Sequence, residues 1–148
     1  MGFRFGGFRS PARRNGAAAL PTALLLLALA GEPAAAQQAQ VIAEGKQDYD
    51  ETCAACHGPE GRGNGPMAGL LVLPPSDLTR IAKDAGGAFP FWRVYRIVEG
   101  GETVKGHETF QMPQLGSRFR RDEAKPGYLP AHIRILTVTH FIESLQVD

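Results

Sequence analysis

The pentapeptide Cys53, Ala54, Ala55, Cys56, His57 constrains this chain more than any other feature in it. Two cysteines three positions apart, followed at once by a histidine, form the attachment signature of c-type haem. On a helix the two thiols lie about one turn apart, so each reaches one vinyl group of the same macrocycle as a thioether. The adjacent histidine then offers an imidazole nitrogen to the iron as an axial ligand. The chain has 2 cysteines in all. It therefore holds one such haem and lacks a disulfide framework, which takes four or more. A thioredoxin-like dithiol needs a βαβ pattern that is missing here. A zinc site needs a further close pair of ligands, and His107, His132 and His140 are scattered without cysteine neighbours.

The hydrophobic spacing is helical throughout. Residues 37–40 form a short polar leader, and a helix begins at Val41. Val41, Gly45, Tyr49 and Cys53 recur at steps of four and share one face. Gly58 and Pro59 end that helix, and a glycine-rich loop follows up to Gly69. Residues 70–73 are an apolar run closed by Pro74 and Pro75. Ser76 or Asp77 caps a short helix over residues 78–83, which Gly86 and Gly87 break. Residues 89–99 have helical spacing and stop at Gly100 and Gly101. A last helix spans residues 131–146, with Val138, Phe141, Ile142 and Leu145 on its stripe. No strand pair and no internal repeat emerge, so the expected class is all-α.

The first 36 residues have a different character. Arg4, Arg9, Arg13 and Arg14 make a basic start. Residues 17–30 are a leucine-rich apolar run, and Ala34, Ala35 and Ala36 supply small residues for cleavage. In that order the three parts read as a secretory signal peptide cut after Ala36. The chain divides accordingly into residues 1–36 and a mature domain, residues 37–148. A retained anchor fits less well, since a span takes about 20 apolar residues and Pro21 interrupts this 14-residue run. The mature form then has no membrane span and belongs in the periplasm. It carries 12 basic and 14 acidic residues. That near-neutral balance, with 43% hydrophobic residues, speaks against disorder and against nucleic-acid binding.

A haem that only passes electrons takes a second axial ligand, and the soft thioether of methionine raises its potential. Beyond the initiator, only Met67 and Met112 are available. Met67 lies ten residues after His57, so the chain would have to round the haem edge almost at once. Met112 lies 55 residues downstream, which leaves length for two helices to wall a pocket. Pro113 biases it towards an extended conformation suited to a ligand borne on a loop. Met112 is the expected sixth ligand, with His107 and an open position as alternatives. No paired-carboxylate or Ser/His/Asp constellation suggests an enzyme, although an open iron would admit peroxide or a small gas.

With Gly45-x-x-x-Tyr49-x-x-x-Cys53, the haem motif, Met112 before Pro113, and Phe141 in the last helix, the chain resembles the class I monohaem cytochrome c family. The resemblance covers residues 41–146. The segment from Met112 to Gly116 is similar to the ligand loop of small periplasmic bacterial c-type cytochromes. The resemblance implies crossed N- and C-terminal helices, with two or three shorter helices around one covalently bound haem c. Gly45 would permit the close crossing, with Tyr49 and Phe141 packed at it. Cys53 and Cys56 would carry the thioethers, and His57 and Met112 the axial positions. A proline carbonyl, of Pro74 or Pro75, would orient the histidine ring. Trp92 would touch a haem propionate or be a core aromatic.

The implied function is a one-electron carrier of the respiratory chain, from a quinol-oxidising complex or a dehydrogenase to an acceptor such as a terminal oxidase. The alternatives are a cytochrome subunit of a larger oxidoreductase and, without Met112 as ligand, an open-site peroxidase or gas sensor. Residues 117–130 are longer and more basic than the family minimum. Arg118, Arg120, Arg121 and Lys125 there form either a solvated loop or a docking rim for an acidic redox partner. The apolar residues 70–73 and 89–91 are expected to line the pocket; left exposed, they would mark a subunit held in a complex.

Overall fold

Helix α1, Ala34–Thr52, starts directly after Pro33 in a computed structural model that describes Gly2, residues 33–102 and residues 115–147. The chain divides into two units, Met1–Glu32 and Pro33–Asp148; the helices and the cavity described below belong to the second. Residues 37–40 are helical rather than a loose leader. Ala39 and the three glutamines there are good helix formers.

Gly45, Tyr49 and Cys53 are buried and Val41 is half-buried, in agreement with the stripe expected from steps of four. The α-helical run is interrupted at Cys53 (φ −114°) and resumes as α2, Ala54–His57. The Thr52 hydroxyl donates to the Asp48 carbonyl at 2.5 Å, and such back-bonding bends helices. Gly58, at φ 79°, ends α2. The loop beyond it satisfies the carbonyls that α2 leaves open: Gly63 N donates to His57 O at 2.7 Å, Gly65 N to Cys56 O at 3.0 Å and Met67 N to Ala55 O at 2.8 Å.

Asp77 caps the next turn by accepting from Thr79 N at 2.9 Å. A 3-10 turn, Leu78–Arg80, leads into α3, Ile81–Asp84. Helix α4 is Phe91–Glu99, ended by a left-handed Gly100. Helix α5, Leu115–Asp122, lies where a loop was expected. Its Leu115 and Phe119 are buried one turn apart, a pair too short to register as a periodic pattern. Helix α6 is Ala131–Ser144. The described residues hold these six α-helices and no strand, so the fold is all-α.

Helices α1 and α6 cross at Gly45. A Cβ there would collide with the Thr137 carbonyl oxygen. Tyr49 and Phe141 pack beside the crossing with ring centroids 5.0 Å apart. Tyr49, Phe119, Leu115, Ile135 and Val138 form the centre of the core, each at most 2% exposed. Among the described residues no helix is long and apolar enough to cross a membrane.

Candidate functional site

The crossing fixes α1, and α1 in turn fixes Cys53 and the turn of helix after it. Cys53 (8% exposed) and His57 (6%) face a cavity of about 450 Å³. This is within the roughly 300–1,000 Å³ of cofactor pockets. Its walls come from α2, the stretch from Ser76 to Ala85, α4, the start of α5, and α6. Leu78, Ile81, Val94, Ile97, Val98 and Ile142 make them mainly apolar. Cys56 is half-buried and lies just off the wall.

The His57 ring is held from behind. Its Nδ1 lies 3.0 Å from the Ser76 carbonyl. A carbonyl only accepts, so Nδ1 carries the proton and Nε2 keeps a lone pair for a metal. Burial lowers the histidine pKa from its ordinary 6.5, against the opposing pull of the Ser76 bond, and so favours the neutral, ligating form. The resemblance assigned this carbonyl to Pro74 or Pro75, and the structure corrects it to Ser76. The Pro75 carbonyl turns instead towards Gly63, where it would collide with an added Cβ.

Burial pushes the Cys53 thiol pKa up to about 11, with the Thr52 hydroxyl opposing. Catalytic dithiols have lowered thiol pKa values, and the Cys53 thiol is shifted the other way. An apolar cavity of cofactor size, the Cys53 thiol on its wall with Cys56 three residues on, and an imidazole with a free nitrogen facing it fit covalently held haem c.

One wall residue had escaped the sequence reading. Arg93 is the one cation on the described cavity wall, beside Asp77 and Asp84. It lies towards the mouth, with a side chain 59% exposed and Nε 2.8 Å from Glu102 Oε1. The signal was present in the spacing. Pro90, Arg93 and Val94, and Ile97 and Val98 fall on one face of α4, and all five line the cavity.

Other expectations shift. Trp92 is 65% exposed and stacks edgewise on Phe91 and Tyr95, at 5.3 and 5.8 Å. It is neither a core aromatic nor on the cavity wall. Leu70, Val72 and Leu73 are 76%, 85% and 55% exposed and are not on the wall of this cavity. Of residues 89–91, only Pro90 reaches the cavity wall. Met67 is 44% exposed and away from the wall. Arg118, Arg120 and Arg121 sit on α5 rather than on a loop, and Lys125 pairs with Asp122 at 2.6 Å. Met112 and His107, the candidates for the sixth position, lie outside the described residues.

Residues 40–100 match the family model described as cytochrome C oxidase, cbb3-type, subunit III. No curated protein and no solved structure matches the chain.

Proposed function

We propose that this chain, whose residues 40–100 match a c-type cytochrome family model, is a class I, monohaem-like c-type cytochrome with covalently bound haem c and works as a periplasmic one-electron shuttle. In this reading Cys53 and Cys56 hold the haem by thioethers, while His57 and Met112 take the axial positions. The haem supplies ferric–ferrous chemistry at one iron. His57 offers Nε2, and the Ser76 carbonyl fixes its tautomer and makes it a better donor. The apolar wall excludes water. Arg93, an exposed cation on the cavity wall, would pair with the carboxylates of a bound macrocycle. The donor is a quinol-oxidising complex or a dehydrogenase, and the acceptor is a terminal oxidase. Arg118, Arg120, Arg121 and Lys125 form the docking rim for an acidic partner. Residues 1–36 act as the export signal.

The observation that carries this reading is His57, backed by Ser76 at 3.0 Å and facing an apolar cavity next to the paired cysteines. The test is the spectrum of the exported protein. A haem band that survives denaturation reports thioethers at Cys53 and Cys56. The weak red band of methionine-bound ferric haem should vanish in Met112→Ala. A spectrum unchanged by that substitution transfers the sixth position to another group or leaves it open.

A second reading is a cytochrome subunit of a larger oxidoreductase. It is favoured by the exposed Leu70, Val72 and Leu73, since contiguous apolar surface marks interaction sites, and by the oxidase-subunit description of the matched family. Native extracts separate the two by size: a free shuttle migrates at its own mass, a subunit with its complex.

A further inference from the structure

The end of the chain reaches back to the haem side of the molecule. Gln146 follows α6 and makes three hydrogen bonds with its side-chain amide. Nε2 donates to Leu78 O and to Ile142 O, each at 2.8 Å, and Oε1 accepts from Ala82 N at 2.8 Å. Val147 N donates to Thr79 O at 3.0 Å. These bonds span the short segment between Ser76 and Ala82. The same segment presents the Ser76 carbonyl to His57 and the Leu78 and Ile81 side chains to the cavity. It is also tied to the glycine-rich loop, from Leu78 N to Gly61 O at 2.7 Å. Leu145 lies over Gly61, where its Cδ1 would be 2.9 Å from an added Cβ.

We infer that Gln146 is a positioning residue for the axial histidine, a deduction that rests on the haem reading above. The glutamine amide is a bivalent splint. It ties a carbonyl and an N–H two residues and six residues after Ser76 to the last turn of α6, and so fixes how squarely the Ser76 carbonyl meets Nδ1–H. A hydrogen bond weakens as its angle closes. A weaker bond leaves the imidazole a poorer electron donor, which favours ferrous iron. The residues that follow α6 therefore set part of the haem potential without touching the haem.

The test uses the holoprotein. Gln146→Met removes all three amide bonds at similar side-chain length. Gln146→Asn keeps the amide but shortens its reach, and serves if the first variant folds poorly. Ser144→Ala is the control, because it removes one α6 bond (Oγ to Phe141 O, 2.6 Å) and touches nothing on the haem side. Both Gln146 variants should show a positive shift in midpoint potential and faster solvent exchange of the His57 Nδ1 proton, with neither change in Ser144→Ala. Potential and exchange equal to the control in a variant that carries haem overturn the inference and leave the haem reading standing. Absence of covalent haem from the unsubstituted protein overturns both.

Discussion

At Gly45 one missing methyl group decides how closely the two longest helices approach. A Cβ at that position meets the backbone of Thr137, which has no rotamer with which to yield. Gly45→Ala should therefore destabilise the holoprotein by about 3 kcal/mol, the upper part of the range for overpacking, despite the ~1 kcal/mol gain in helix propensity. Denaturant unfolding followed by the haem band measures it, and an unchanged midpoint would mean the crossing is not this tight. Tyr49, one turn on, donates to Gly58 O at 2.8 Å from a buried site. Burial first, then the nearby Cys53 and Asp50, raises its pKa above the ordinary 10. A raised acid pKa stabilises the fold fully below pH 10 and progressively less above it. Stability should decline above about pH 10, and Tyr49→Phe should flatten part of that decline; Tyr95, also raised, accounts for another part. Both residues were legible because steps of four mark a helix face whatever the fold. The partner of His57 was not. Which carbonyl meets Nδ1 depends on the path of a loop through Gly63 and Pro75, and no local pattern encodes that path.

Among the elements, α5 is the one the sequence concealed. Two buried apolar residues and a run of arginines look like a charged loop until Arg134 is placed. The Arg134 side chain, 7% exposed, lies on α6 and pairs with Asp48 of α1 and, at 3.4 Å, with Asp122 at the end of α5. Its guanidinium carbon sits 3.8 Å from the centroid of the Phe119 ring. The Arg134–Asp48 contact, 86 positions apart, joins α6 to α1 and leaves no trace in periodicity, so the guanidinium that also holds α5 through Asp122 and Phe119 was invisible to sequence reading. Breaking a buried ion pair costs about 3–5 kcal/mol. Asp48→Asn leaves Asp122 in place, so a loss of about 2–3 kcal/mol is expected. Amide exchange should show α1 losing protection around Asp48 before α5, which keeps its own tie to Arg134 through Asp122. Equal loss in both helices would mean that the Asp48 pair stabilises the whole fold rather than the α1–α6 contact in particular.

Over the whole molecule, two unlike surfaces compete for the role of docking face, and their chemistry separates them. Arg120 and Arg121 are exposed on α5. The loop with Leu70, Val72 and Leu73 is also exposed, and no charged residue occurs from 63 to 76. Attraction between exposed charges is screened over roughly 10 Å at 0.1 M salt, whereas burial of apolar surface is not weakened by screening. Steering by a charged surface raises association rates by about 10- to 1,000-fold at low ionic strength. If α5 is the docking face, electron transfer to an acidic acceptor should slow about tenfold or more from low to physiological salt. The double substitution Arg120→Gln, Arg121→Gln should flatten that dependence. Val72→Asp should then leave the rate nearly unchanged. If the apolar loop is the docking face, the outcomes reverse: the rate is flat with salt, the arginine pair is dispensable and Val72→Asp slows transfer. Stopped-flow oxidation with each variant reads both slopes. The second pattern would remove the basic rim and join this chain to a partner through the loop that follows α2.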